Sequence, residues 1–514
     1  MPVIGIKRWL GRLSNWYTSD ADYDKLQVRA EEKPLRADLY SVYQLEHYAR
    51  VLAGLHELGT GVAPDRLIGR LSENERILIH TYDLVTAAVE KGRPIVPAAE
   101  WLLDNFYLIE EQIRIARRHF PPSYSKSLPR LAKGPLAGYP RVYGIAMEMI
   151  SHTDGGVDGA SLSAFVASYQ TVRPLTLGEL WAVPIMLRLG LIENLRRVAL
   201  RVAASLHDRG LATDWGTRMV NVVEANPSDL ILVLADMARS ELPLSSAFLA
   251  ELTRHLQGQS PHFALALNWL EERVSEQGFK IAHLVQMESQ TQAIDQVSIG
   301  NTITSLRSLR MTDWRQFVED QSIVERTLRS DPSGVYANMD FATRDTYRHV
   351  VEEIARHSLL TQDEVAQEAI RLANLSSVEQ PDNRKAHVGY FLIDKGRPAL
   401  ERAAGTKPSL SKALEKNVRH YPLFFYLSGV VALSACFMAG LCAWATNGGL
   451  PLWVLALASL PALMCMIHLA IGIVNWLVTL LVGPQPLPRL DFRAGIPPEH
   501  RTMVVAVSYT HLTL

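Results

Sequence analysis

Three groups of residues have the types and spacing that chemistry uses. Glu100, Asp104 and Glu111 fall near one face of a predicted helix, and clustered carboxylates are what general acid/base catalysis requires. Arg114, Arg117 and Arg118 follow them closely, so a solvated ion-pair face fits the same pattern better. His152 and Asp154, in SHTDGGVDG, could ligate a metal or share a proton, but Asp and Gly are also the residues that end helices. Asp340 and Arg344 read as a helix cap and the surface beside it, and DPSG at 331–334 reads as a turn. Trp101, Tyr107, Tyr139 and Trp181 could stack on sugar rings, as in helical glycoside hydrolases, or simply fill a core. No glycine-rich phosphate loop and no HExxH occurs. No residue is therefore assigned a catalytic, cofactor-binding or metal-binding role.

The elements that would position these residues are helices. YSVYQLEHYARVLAGLHELG carries Val42, Leu45, Val51, Leu52, Leu55 and Leu58 at helical spacing before Gly59. SENERILIHTYDLVTAAVEKG predicts a helix with Ser72 as cap, Glu75 three residues on, and Gly92 as stop. Pro97 opens a helix that Pro121 and Pro122 close. Thr176 and Glu179 form a capping box for a helix that bends at Pro184 and ends at Gly210. Similar patterns continue to residue 375, alternating strand patterns are scarce, and 376–420 reads as linker and juxtamembrane segment. The expected fold is mostly α over 31–375. Residues 1–30 contain no continuous apolar core and are not a signal peptide; Ile4, Ile6, Trp9, Leu10 and Leu13 could form the apolar side of a surface helix beside Lys7, Arg8 and Arg12.

Charged residues make up 20% of the 514, yet none occurs from Tyr421 to Pro488. Two apolar runs, 422–445 and 450–483, lie in that gap, and each exceeds the roughly 20 residues that span a bilayer. TNGG at 446–449 joins them. A transmembrane hairpin over 421–488 is predicted, with Pro461 bending the longer second run or the surplus length taken up by tilt. His468 and Asn475, seven apart on one face, either line a pathway or bond the neighbouring helix. Lys412, Lys416 and Arg419 precede the hairpin, and Arg489 and Arg493 follow it, which puts both ends in the cytoplasm and the turn outside. The three cysteines, Cys436, Cys442 and Cys465, all lie within the hairpin, and the net charge of −1 gives no reason to expect nucleic acid.

The chain ends DFRAGIPPEHRTMVVAVSYTHLTL, in which Thr502 to Val507 begins a buried strand. Six stretches explain this ending: WLLDNFYLIEEQIR at 101–114, GYPRVYGIAMEMISHTD at 138–154, PLTLGELWAVPIMLRLGLIENLRR at 174–197, DPSGVYANMDFATRDTYRHVVEEIAR at 331–356, HVGYFLIDKGRPALE at 387–401 and LPRLDFRAGIPPEHRTMVV at 487–505. Together, in this order, they resemble the N-terminal part of the cyclic β-1,2-glucan synthases, very large bacterial inner-membrane enzymes. The resemblance implies a cytoplasmic helical region and membrane hairpin ahead of an α/β glycosyltransferase domain, of which 489–506 would be the stub. It also implies UDP-glucose as donor, a divalent metal, a periplasmic glucan, and the bilayer and the missing transferase domain as partners. The family's catalytic motifs would lie beyond residue 514, so none can be carried over and this fragment is expected to be inactive. Residues 507–514, VSYTHLTL, depart from the family and resemble a translated sequencing adapter. The alternative is a free-standing membrane-tethered helical scaffold.

Overall fold

A computed structural model describes residues 32–59, 66–240, 243–379, 384–406, 421–448, 451–481, 487–493, 495–498 and 501. The N-terminal segment 1–30 and the apolar run 502–507 lie outside them. The chain divides into two units, Met1–Ser322 and Ile323–Leu514.

Helices dominate unit 1: α1 (Val42–Leu55), α2 (Leu67–Glu90), α3 (Pro97–Asp104), α4 (Phe106–His119), α5 (Pro122–Ser127), α6 (Arg141–His152), α7 (Gly159–Gln170), α8 (Leu177–Ala225), α9 (Leu230–Arg239), α10 (Ser246–Leu256), α11 (Ala264–Glu276), α12 (Ile281–Met311) and α13 (Trp314–Gln321). The sheet consists of β1 (Leu58–Gly59) and β2 (Arg130–Leu131), an antiparallel pair with Leu58 opposite Leu131. The organising element is α8, 49 residues and so about 74 Å long. Its first half is buried on nearly every side against α2, α4, α6 and α12, with Leu187, Leu191, Leu195 and Val198 in the main core. Its second half carries Ala212, Met219 and Val223 into a second core with α9, α10 and α11.

Several boundaries differ from the sequence expectation. The Thr176/Glu179 capping box is present, but α8 runs through Gly210 because its apolar stripe continues into the second core. Gly210 lies under Arg93, and a Cβ there would stand 2.8 Å from the guanidinium. Ser72 is inside α2 and caps nothing; the helix starts at Leu67, while Gly92, at φ +67°, does end it. The helix from Pro97 breaks at Asn105, whose side chain turns back to donate to the Trp101 carbonyl at 2.9 Å. Pro122 opens the short α5 rather than only closing α4. On α1 the buried face is Leu45, Ala49, Leu52 and Ala53, whereas Val42, Val51 and Leu55 face solvent.

Unit 2 comprises α14 (Ile323–Leu328), α15 (Phe341–Arg356), α16 (Gln362–Glu379), α17 (Val388–Ile393) and α18 (Arg397–Ala403), then the hairpin helices α19 (Pro422–Asn447) and α20 (Leu452–Leu481). Residues 388–403, expected as linker, instead put Val388, Phe391, Leu392 and Leu400 into the core of α14–α16. Both hairpin helices are long and apolar enough to cross a membrane, with spans Pro422–Ala445 and Leu457–Leu480 of mean hydropathy 1.9 and 2.1. They pack through Val430, Ala470 and Val474, and α20 runs unbroken through Pro461. Leu423, Phe424, Leu457 and Leu460 face outward, uncovered by protein.

Candidate functional site

The sequence candidates do not converge. The break at Asn105 puts Glu100 and Asp104 on α3 and Glu111 on α4, and the first two are exposed. Glu111 accepts from Arg310 Nη1 at 3.3 Å, and Glu75 from Arg117 Nη2 at 2.5 Å, so these charges are paired across helices at the surface. Glu75, Glu110, Arg114, Arg117 and Arg118 line an open hollow of about 400 Å³, two acids against three bases. Trp101, Tyr139 and Trp181 pack against the main core, and Tyr107 is exposed.

His152 and Asp154 are both buried but serve different partners. His152 donates from Nδ1 to the Asp38 carbonyl at 2.7 Å and stacks on Tyr40 at 4.0 Å between ring centroids. Asp154 adopts φ +48° as it ends α6, with Gly155 at φ +76° behind it. Its carboxylate lies 3.7 Å from Arg36 Nη1. Helix termination is thus the visible role of this loop. In unit 2 Asp340 caps α15 by accepting from Thr343 N at 2.9 Å. Arg344 is not surface: it is buried, donating to the Ala337 carbonyl at 3.2 Å, with Glu325 3.8 Å away. On the hairpin, Asn475 Oδ1 accepts from Tyr426 Oη on the other helix at 3.0 Å. His468 Nδ1 instead donates to the Met464 carbonyl of its own helix at 3.0 Å.

The buried charge clusters escaped sequence reasoning, since a lone Glu or Arg at helical spacing looks like surface until its partner's fold position is known. Glu193 on α8 accepts from Arg70 Nη2 at 2.7 Å, Arg196 Nη2 at 2.8 Å and Arg197 Nε at 3.0 Å. Burial alone would push its carboxyl up, but these guanidiniums hold it far below the usual range. Glu32 and Glu73 lie against Arg70 at 3.1 and 3.3 Å, so three acids meet three bases. In unit 2 Glu325 accepts from Arg348 Nη1 at 2.6 Å and Tyr336 Oη at 2.7 Å, which overcome burial and lower its pKa. Both clusters clamp helices together.

Asp331, Ser333 and His387 have the composition of a nucleophilic relay. His387 Nδ1 lies 2.8 Å from Asp331 Oδ2 and 3.2 Å from Ser333 Oγ. A relay needs the acid and the nucleophile on opposite ring nitrogens. Here both use Nδ1, and Nε2 faces Tyr347 Oη at 3.5 Å. Asp331 Oδ1 also accepts from Val388 N at 2.9 Å, so the set pins the DPSG turn to α17. Among the described residues no group of three or more His, Cys, Asp or Glu could hold a metal ion.

The class so defined is a helical protein carrying an apolar helical hairpin, held by buried ion pairs. No family model matches the chain. Over 465 residues, 88% of its length, it is 33% identical to the cyclic beta-(1,2)-glucan synthase NdvB of Rhizobium meliloti (strain 1021), and it spans 16% of that protein. The chain is related to the cyclic β-(1,2)-glucan synthases, as its six characteristic stretches indicated.

Proposed function

We propose that this chain is the cytoplasmic helical body and membrane anchor of a cyclic β-1,2-glucan synthase, and that it performs no glucosyl transfer by itself. The observation that carries this reading is the extent of the similarity: the 12% of the chain left unmatched is shorter than either unit, so both units share in it. The relative is described as a glucan synthase, yet the matched length is 16% of it. On this reading UDP-glucose and its divalent metal are bound by the rest of the enzyme.

The anchor is the hairpin, crossing the bacterial inner membrane twice with the helical body in the cytoplasm. Exposed Trp444 and Trp453 flank the turn, and exposed Tyr421 and Trp476 lie toward the other end. Aromatic side chains at both ends of an apolar span are the interfacial pattern of membrane helices. The absence of charge across the hairpin, against lysines and arginines outside it, supports that orientation.

The test is direct. The purified chain in lipid nanodiscs is given radiolabelled UDP-glucose with magnesium or manganese, beside the relative as positive control. No label is expected on the protein or in soluble glucan. Label in either fraction would overturn the non-catalytic reading and return attention to Glu100, Asp104 and Glu111.

A further inference from the structure

The chain leaving the hairpin does not hang free. Arg489, Leu490 and Asp491 lie as an extended strap along the loop before α15, with Leu490 opposite Met339 in an antiparallel bridge. Asp340 N donates to the Arg489 carbonyl at 2.9 Å, and Asp491 N to the Asn338 carbonyl at 2.8 Å. Arg489 N donates to Thr343 Oγ1 at 3.0 Å. The Leu490 side chain packs against the core of unit 2. The receiving loop is itself fixed, because Tyr336 is tied to Glu325 and Asp340 caps α15.

Around this docked core the strap shows apolar side chains outward. Leu487 is 80% exposed, Ile496 53% and Phe492 38%. Arg493 pairs with Asp491 at 2.7 Å, whereas Arg489 and Arg501 have no acidic partner among the described residues. Leu487 follows the last residue of α20, Leu481, by six positions, so it lies within about 20 Å of the helix end. Large apolar side chains beside arginines, that close to a bilayer, are the composition of an interfacial anchor.

We propose that the segment from Leu487 to Ile496 lies in the headgroup layer of the bilayer that the hairpin enters, on anionic lipid. Its main-chain bonds to Asn338, Asp340 and Thr343 then set the helical part of unit 2 on the membrane with the Asp340 end of α15 down. The inference rests on the hairpin spanning the bilayer. It adds a second, peripheral contact and an orientation that the hairpin alone does not give.

The test uses the full chain with Cys436, Cys442 and Cys465 replaced by alanine, in vesicles of phosphatidylethanolamine and phosphatidylglycerol. Single cysteines at Ile496, Ala342, Leu359 and Leu460 carry an environment-sensitive fluorophore, and nitroxide lipids quench at headgroup or mid-chain depth. Ala342 lies in the first turn of α15 and Leu359 lies beyond its far end, about 24 Å away. Headgroup nitroxide is expected to quench Ile496 and Ala342 several-fold more than Leu359, while mid-chain nitroxide quenches Leu460. Arg489→Glu with Arg501→Glu is expected to reduce quenching at Ile496 and leave Leu460 unchanged. Quenching at Leu460 with Ile496 no different from Leu359 would overturn the proposal and spare the hairpin. Quenching at Ile496 with Ala342 and Leu359 equal would overturn the orientation. No quenching at Leu460 would mean the hairpin is not inserted, and both readings fail.

Discussion

Arg141 and Glu179 meet as a bidentate pair with side-chain exposures of 2% and 0%. Nε donates to Oε1 at 2.8 Å and Nη2 to Oε2 at 2.6 Å. The same Glu179 closes the capping box with Thr176, so one carboxylate both starts α8 and ties it to α6. Glu179→Gln leaves a buried guanidinium without its counter-charge, which typically costs about 3–5 kcal/mol. Chemical denaturation of the detergent-solubilised chain should show a loss of that order, against about 1 kcal/mol for Thr176→Ala.

Asp295 is the buried acid with an unfavourable balance. Burial raises its pKa to about 6; Arg201, 3.4 Å away, opposes this, while Glu288 and Asp154 reinforce it. A carboxyl whose folded pKa lies above its unfolded value of 3.8 favours the fold at low pH, and that contribution is lost as pH rises through about 6. Asp295→Asn should therefore stabilise the protein at pH 7.5 by about 1–3 kcal/mol and give little advantage at pH 4. Melting curves of both proteins across that range check it; an advantage independent of pH would contradict the assignment.

Tyr426 and Asn475 join the hairpin helices through one side-chain hydrogen bond. Tyr426→Phe should weaken their association by about 0.6–1.7 kcal/mol. Asn475→Leu should cost a similar amount, and the double variant no more than the larger single loss. Full additivity in a mixed-micelle titration would show that the two residues act separately.

The hairpin's topology has its own test. Asn447, exposed at the end of α19, should lie on the periplasmic side. With the native cysteines removed, Asn447→Cys should react with an impermeant thiol reagent added to intact cells. Labelling only after lysis would reverse the orientation.

The helices and the hairpin were legible in the sequence because periodicity and hydropathy are local signals. Thr176 with Glu179, and Asp340, behave as the caps expected of them, with partners three residues away; the Ser41/Gln44 capping box is equally local but is not among the expectations. The failures share a cause. Nothing near Gly210 states that the apolar stripe of α8 continues into a second core, and nothing near Ser72 states that α2 already began at Leu67. Val388, Phe391 and Leu392 sit in a stretch rich in polar and charged residues, and only the core of α14–α16 reveals them as buried. Arg141–Glu179, Glu193–Arg70 and Glu325–Arg348 join residues 38, 123 and 23 positions apart, a pairing no local pattern encodes.

The central claim, that this chain serves as the anchoring helical part of a glucan synthase, is tested most directly by exchange. The matching 465-residue segment of the Rhizobium meliloti synthase is replaced by the corresponding residues of this chain, and cyclic β-1,2-glucan is measured in cells lacking their own synthase. The account predicts glucan from the exchanged protein and none from the relative with the segment deleted. An exchanged protein that reaches the membrane at normal level but makes no glucan would contradict it, and would favour a free-standing membrane-tethered scaffold.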